Sequence, residues 1–507
     1  MRNFYLSSLL RPNKTSRLAA SGRAALGLVL ALTASRCATA ETDSCGDAGT
    51  CVTLSLSADP LAGSSSGNGS GKSTILEDLE LIVRVGDTTR RVRFDDRVVR
   101  APGDLALPLP ELVSQPQQRL AIYLRARVRA SDDPTVAQDV GGAVQRAAAD
   151  ALQARYPLAL QRACVGPPCA LPEPRRDATL AMDPRSRHLV LFGGRRQDGT
   201  ALGDTWEWDG IGWNQVMLPP QSTPSARAGQ AVALDARRGS LLLFGGAGGT
   251  ADAPQPLADT WEYLGEPAGW SQVASGGPPA RHQAAMASAE VSFLGNGSNL
   301  SRPPGVLLHG GIDASGHTLG DTWVWDGHAW SMPPRQSDAC PSVPPSSPTV
   351  PRCRSQAAII PTTGSGLGAL LVGGRLGPAA PGAAPPEFDD RIWRWDGARW
   401  SPAAVSRPPT VLGRFAHYAG LAAASRPLGL VALGDSGAGL RQDAFVLDLS
   451  SGSLSPQLGP APAPRAAAAV AYDDERDEVV LLGGRGEQAL YDDTWSFTPA
   501  SGWRAHR

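Results

Sequence analysis

The sequence predicts an all-β protein, a six-bladed β-propeller preceded by a small β-sandwich-like domain. Three observations predict it. One unit recurs six times between Arg175 and the C-terminus, and all thirteen Trp of the chain fall inside the copies. Within each copy, short apolar runs rich in Val, Leu and Ala are set apart by Gly, Pro and Asp, as strands are. The copies follow one another at roughly 50 to 65 residues, the spacing of a four-stranded blade.

Each unit opens on an Arg, at 175, 227, 281, 354, 414 and 465, and these positions mark the predicted blade starts within a propeller spanning 175–507. A first apolar strand follows, then a second ending in Gly-Gly: Gly193-Gly194, Gly245-Gly246, Gly310-Gly311, Gly373-Gly374 and Gly483-Gly484, with a degenerate Gly434-Asp435 fifth in order. A third strand carries an aromatic pair, as in Asp204-Thr-Trp-Glu-Trp-Asp209, and a fourth begins at a last Trp, as at Trp213. The later pairs are Trp261/Tyr263, Trp323/Trp325, Trp393/Trp395, Phe445/Leu447 and Trp495/Phe497, with closing Trp at 270, 330, 400 and 503. Leu454 stands near the closing place in copy five, which is therefore the weakest. A sheet of four such strands cannot bury both faces alone. It must stack on a neighbour, and radial closure then removes most exposed edges. A diglycine, lacking Cβ atoms, permits positive φ and close backbone approach at a strand end. No seventh copy is visible upstream.

This unit resembles the kelch motif, with its diglycine after an apolar strand, downstream aromatic pair and final Trp. The resemblance covers about the last two thirds of the chain. It implies a propeller with one blade per repeat, like the central domain of galactose oxidase, here of a bacterial exported or lipoprotein type.

The N-terminus has the pattern of a targeting segment. Arg2, Arg11, Lys14, Arg17 and Arg23 precede an apolar run from Ala24 to Ala34 that is too short to span a bilayer. Cleavage after Ala40 would remove a signal peptide of residues 1–40. In the alternative, Cys37 becomes an acylated N-terminus as in a bacterial lipobox, although Arg36 stands where a small residue is expected. Either way the protein is expected in the periplasm, at the outer-membrane surface or outside the cell. The remaining six Cys form local pairs Cys45/Cys51, Cys164/Cys169 and Cys340/Cys353, which in an exported chain read as disulfides. Cys164 and Cys169 have no second ligand pair at zinc spacing.

Residues 41–134 are expected to form the sandwich-like domain, because Val52, Leu54 and Leu56, then Leu79 to Val85, then Leu120 to Val128 alternate with the period of half-buried strands. Ala-rich residues from Thr135 to Tyr156 suggest a helical connector, and prolines 167, 168, 172 and 174 a linker, giving a connector of 135–174. A net charge of −1 gives no global basic field, which argues against nucleic acid as a partner. Lys occurs only at 14 and 72, so the prevalence of Arg is a compositional bias.

Several constellations bear on function. Ser66 to Thr74 looks like the phosphate-binding loop of nucleotide hydrolases, but no βαβ series accompanies it, and a Gly/Ser-rich loop between strands accounts for it. Arg175, Arg227, Arg281, Arg354, Arg414 and Arg465 would ring one mouth of the channel. Turned inward, they suit a carboxylate, a phosphate or an acidic loop; turned outward, each pairs with an Asp such as Asp204, Asp259, Asp321 or Asp493, since a buried Arg needs a partner. Asp183, Asp235 and Asp473 read as turn formers. His309 replaces the Phe of other copies and reads as a core residue. His417 beside Tyr418 invites comparison with galactose oxidase, whose copper is held by Tyr and His, yet no second His–Tyr cluster occurs. No nucleophile elbow, His-Glu-x-x-His helix or catalytic triad is found. The expected role is non-catalytic binding of a protein or glycan by a monomer without cofactor or metal. Two insertions, Pro333–Arg352 and Leu376–Phe388, would serve as binding loops on one face. The alternative is a secreted kelch-type oxidase or sugar-modifying enzyme.

Overall fold

The computed structural model describes residues 171–290, 304–333, most of 351–403 and 459–506, with strand segments between 51 and 162 and between 428 and 456. Among the described residues there is no α-helix, and therefore none long and apolar enough to cross a membrane.

Repeat one is an antiparallel sheet of Thr179–Met182, Leu189–Phe192, Thr205–Trp208 and Trp213–Val216, hydrogen-bonded in that order. Repeats two, three, four and six each build a four-stranded antiparallel sheet from consecutive repeat strands. Repeat five pairs Leu428–Ala432, Ala444–Asp448 and Leu454–Pro456, and the sequence that precedes them lies outside the described residues. The second strands of repeats one, two, four and six, Leu189–Phe192, Ser240–Phe244, Ala369–Val372 and Glu478–Leu482, are buried at every position. That is why they read as unbroken apolar runs rather than as alternation. Both their faces are covered by neighbouring sheets.

The apolar clusters record which sheets pack together. Phe192 and Val190 of repeat one meet Tyr263 and Trp270 of repeat two. Leu242 and Phe244 of repeat two meet Trp325 and Trp330 of repeat three. Ala287 and Leu307 of repeat three meet Trp393 and Trp400 of repeat four, and Val446 of repeat five meets Val479 and Phe497 of repeat six. The last cluster joins the ends of the series: Trp206, Trp208 and Trp213 of repeat one pack with Ala469, Val480 and Leu482 of repeat six. First strands touch first strands, in the order six, one, two, three, four. These relationships are those of an all-β, propeller-like fold.

The N-terminal strands form two sheets. One contains Thr88–Phe94, Thr74–Val85, Arg119–Arg129, Ala137–Ala147 and Gln161–Arg162 in that order, with Val99–Ala101 also beside Thr74–Val85. The other contains Gly103–Pro108, Cys51–Leu56 and Arg155–Leu158. The helical reading of the Ala-rich stretch is corrected here: Ala137–Ala147 is a strand paired along its whole length with Arg119–Arg129. Helix propensity lost to pairing because Gly141 and Gly142 weaken any helix and an eleven-residue partner strand was available. The targeting segment with Cys37, the Ser66-to-Ser73 loop, Cys45, Cys164, Cys169 and Cys340 lie outside the described residues, as do Arg414, His417, Tyr418 and the middles of both insertions.

Candidate functional site at the arginine mouth

The diglycines and the opening arginines lie at one end of the stacked sheets, the end where second strands turn toward third strands. Space dictates the glycines. A Cβ on Gly193 would come within 2.6 Å of the Arg227 carbonyl oxygen of the next repeat, and one on Gly245 within 2.6 Å of that of Arg281. In repeats one, two, three and six the second glycine donates its N–H to the carbonyl of the next opening arginine: Gly194 to Arg227 at 2.9 Å, Gly246 to Arg281 at 2.9 Å, Gly311 to Arg354 at 2.9 Å and Gly484 to Arg175 at 2.8 Å.

The arginines are turned into their own repeats. Arg175 makes a two-pronged pair with Asp204, at 2.7 and 2.8 Å, and also donates to the Gly193 carbonyl at 3.0 Å. Arg227 does the same with Asp259 and Gly245, Arg281 with Asp321 and Gly310, and Arg465 with Asp493 and Gly483. Each Nε donates to the carbonyl two residues back. The four guanidinium-bearing residues are at most 1% exposed. Trp206, Trp261, Trp323 and Trp495 donate to the same Asp carboxylates and hold them in place. Burial, the largest single influence, would raise these carboxyls, but the hydrogen bonds and charge of the arginines together with the tryptophan hydrogen bonds outweigh it and hold all four below their ordinary value. In repeat four Arg391 stands where the other copies have Asp, and Arg354 is fixed through the Gly373 and Arg352 carbonyls at 2.8 and 3.0 Å. Of the two arrangements open to these side chains, the structure contains the intramolecular latch. A ligand drawn to these arginines would have to displace a buried two-pronged pair.

Inside the latches runs a backbone belt. Asp177 N–H bonds to the Ala467 carbonyl, Gly229 to Asp177, Gln283 to Gly229 and Gln356 to Gln283. These positions share a left-handed backbone, with φ between 56° and 63°, which only glycine adopts freely. The belt passes from repeat six through one, two and three to four. Beside it, Arg195 directs its guanidinium at carbonyls of Gly199, Ala247, Gly248 and Gly249 and so ties repeat one to the hairpin of repeat two.

Two features escaped sequence reasoning. The closing tryptophans donate back to the preceding repeat: Trp270 to Thr205 at 3.1 Å, Trp330 to Thr260 at 3.0 Å and Trp400 to Thr322 at 3.0 Å. The Thr of Asp-Thr-Trp was the available signal. The second feature is a buried charge cluster at the opposite end of the sheets. There Glu80, Arg91, Tyr123 and Arg125 of the N-terminal sheet meet Glu475 and Glu478 of repeat six. Alternation with the period of half-buried strands does not by itself reveal that these charges are covered. His309 is buried, with Nδ1 3.0 Å from Thr322 Oγ1, and burial pushes it down to about 3. Among the described residues no three His, Cys, Asp or Glu side chains converge as a metal site.

No family model matches the chain. Over 150 residues it is 33% identical to an F-box/kelch-repeat protein of Arabidopsis thaliana, a match covering 27% of this chain and 28% of that protein. Over 148 residues it is 34% identical to tRNA wybutosine-synthesizing protein 4 of Emericella nidulans, covering 27% and 12%. The corresponding protein of Aspergillus fumigatus is 28% identical over 166 residues, covering 31% and 14%. The chain thus spans under a third of the length of each relative. Likeness to a kelch-repeat protein and the all-β sheets together support a kelch-like β-propeller.

Proposed function

We propose that this protein is a non-catalytic interaction scaffold whose partner is another protein, held on the mouth end of a closed six-bladed propeller. One observation carries the reading: the polar side chains that recur in the repeat are consumed by latches within and between sheets. Recognition then falls to residues that do not recur, chiefly on the insertions Pro333–Arg352 and Leu376–Phe388. The kelch-repeat protein of Arabidopsis supports the same reading, since its repeats share a chain with another module, the F-box. A monomeric state belongs to the same proposal, with a glycan as the alternative partner and with the N-terminal sandwich-like domain, expected over 41–134, extended through Gln161–Arg162 by the strands that join its sheets. So does export, with residues 1–40 removed or Cys37 acylated.

We further assign Cys340 as the partner of Cys353, which is buried and disulfide-bonded, so that one end of the first insertion is tethered. The pairs Cys45/Cys51 and Cys164/Cys169 are proposed on spacing alone. The test compares intact protein with a form in which both insertions are shortened to turns. Cross-linking in cell-envelope extracts should yield a partner that the shortened form loses and that Arg227→Lys retains. A partner retained without either insertion would reject the role of the loops. Stoichiometric copper or iron in the purified protein would instead favour the secreted oxidase.

A further inference from the structure

We propose that the N-terminal sheet is the clasp of the ring, locking the seam between repeats six and one. The inference rests on the reading that the repeat sheets close into a ring. Repeat one and repeat six are each built from consecutive strands, Thr179–Met182 to Trp213–Val216 and Ala469–Asp473 to Gly502–His506. No strand is exchanged between them, so nothing in the chain path holds this seam. Backbone bonds such as those of Gly484 N–H to Arg175 and Asp177 N–H to Ala467 cross it, and side-chain contacts can reinforce them.

The turn after the first strand of repeat six supplies an acidic address. It reads Asp473-Asp-Glu-Arg-Asp-Glu478, whereas the matching turns carry Arg185 and Arg187 in repeat one, and Arg237 and Arg238 in repeat two. The N-terminal sheet presents the complement, because Arg84, Arg91, Tyr123 and Arg125 alternate onto one face of three adjacent strands. Among the described turns, only that of repeat six offers a carboxylate cluster to such a face.

Contacts then cross the seam. Arg125 is 3% exposed and bonds to both sides: its two terminal nitrogens reach Glu478 of repeat six at 3.0 and 2.5 Å, and its Nε reaches the Gly210 carbonyl of repeat one at 2.7 Å. Tyr123 donates to Glu475 at 2.7 Å, and the other oxygen of that carboxylate accepts from Arg187 of repeat one at 2.9 Å. Arg476 lies 4.4 Å over the Tyr123 ring and donates to the Asp209 carbonyl of repeat one. Arg504 of the last strand pairs with Glu80 at 2.8 Å. One face of the sheet therefore grips both ends of the ring, as buried charges do only when geometry satisfies them.

Hydrogen exchange on the full chain tests the clasp, because matched amides cross two seams. Gly484 N–H bonds to the Arg175 carbonyl across the six–one seam, and Gly246 N–H to the Arg281 carbonyl across the two–three seam. Arg125→Ala should speed exchange at Gly484 by roughly a hundredfold, the scale of a broken buried pair, and leave Gly246 within about threefold. Tyr123→Phe, a milder change, should act in the same direction by about tenfold. Equal acceleration at both glycines, or none at Gly484 in either variant, would overturn the clasp. Should Gly484 exchange like an exposed amide in the unmodified chain, the closed ring itself would be wrong.

Discussion

The indole N–H of Trp213, in the last strand of repeat one, donates to Thr494 Oγ1, in the third strand of repeat six, at 2.9 Å. The two residues are 281 apart in sequence, yet the bond matches those of Trp270, Trp330 and Trp400 to the preceding repeat. The relation between neighbours thus also joins the first sheet to the last. A linear stack would leave that donor without its threonine.

Thr494→Val keeps the shape of the acceptor and removes its oxygen. A buried indole N–H left unsatisfied costs about 1–3 kcal/mol. Thr205→Val, which does the same to Trp270, is the internal control. Urea unfolding should give the two variants similar losses. A loss for Thr205→Val with none for Thr494→Val would mean the ring is open in solution.

Repeat six has the converse defect. Trp503 occupies the closing position, but the preceding sheet has Ala444 where repeats one, two, three and six have Thr, and Trp503 Nε1 is buried without a hydrogen-bond partner. Ala444→Thr should stabilise the protein by about 0.5–1.5 kcal/mol, the net worth of one hydrogen bond. Thermal unfolding of Ala444→Thr beside Ala444→Val separates the bond from the added volume: the valine variant should show no gain.

Legibility in the sequence followed the repeat. Gly-Gly, Asp-Thr-Trp and the closing Trp recur in most repeats because each solves the same packing problem from sheet to sheet, and a recurring solution can be recognised without coordinates. The clasp could not be found this way. Glu80 and Arg125 occur once each, between apolar neighbours, in strands whose alternation normally means one dry face and one wet face. Here both faces are covered, Glu80 and Arg125 being 1% and 3% exposed. Only the acidic run from Asp473 to Glu478 hinted that a basic surface would meet it.

The latches predict how substitution at the mouth behaves. Arg227→Ala leaves Asp259 and the Gly245 carbonyl without their shared donor, and breaking a buried pair costs about 3–5 kcal/mol, less here because Asp259 is partly exposed. Arg227→Lys should recover little of this, since an ammonium cannot reproduce the two-pronged fork. Denaturant midpoints should therefore fall for both variants. Unchanged stability for Arg227→Ala, together with lost binding of an acidic ligand, would reverse the assignment from latch to ligand site.

Acid should weaken the latches within a defined window. The carboxyls of Asp204, Asp259, Asp321 and Asp493 lie below the ordinary 3.8 in the folded protein. A lowered folded value means a contribution fully present above 3.8 and lost as pH falls through the folded value. Asp259→Asn should be less stable than the parent near neutrality, and the gap should narrow below about pH 4 as the parent carboxyl takes up its proton. A gap that stays constant from pH 6 to pH 2.5 would exclude the charged latch.

His309 opens a second window at higher pH. It stands at the position of Phe192 and Phe244, with Nδ1 against Thr322 Oγ1 and Nε2 buried without a partner. Burial and the nearby Arg354 disfavour the imidazolium and push its folded value from 6.5 down to about 3. Below pH 6.5 the unfolded chain therefore binds a proton that the folded chain refuses, and stability declines by up to about 1.4 kcal/mol for each pH unit. His309→Phe supplies the ring of the other repeats and removes this proton from the balance. Between pH 7 and pH 4.5 the variant should lose stability less steeply than the parent, while the steeper loss below pH 4, which belongs to the aspartates, should persist. Parallel stability curves across the whole range would mean that His309 carries its ordinary charge in the folded protein and that its surroundings admit water.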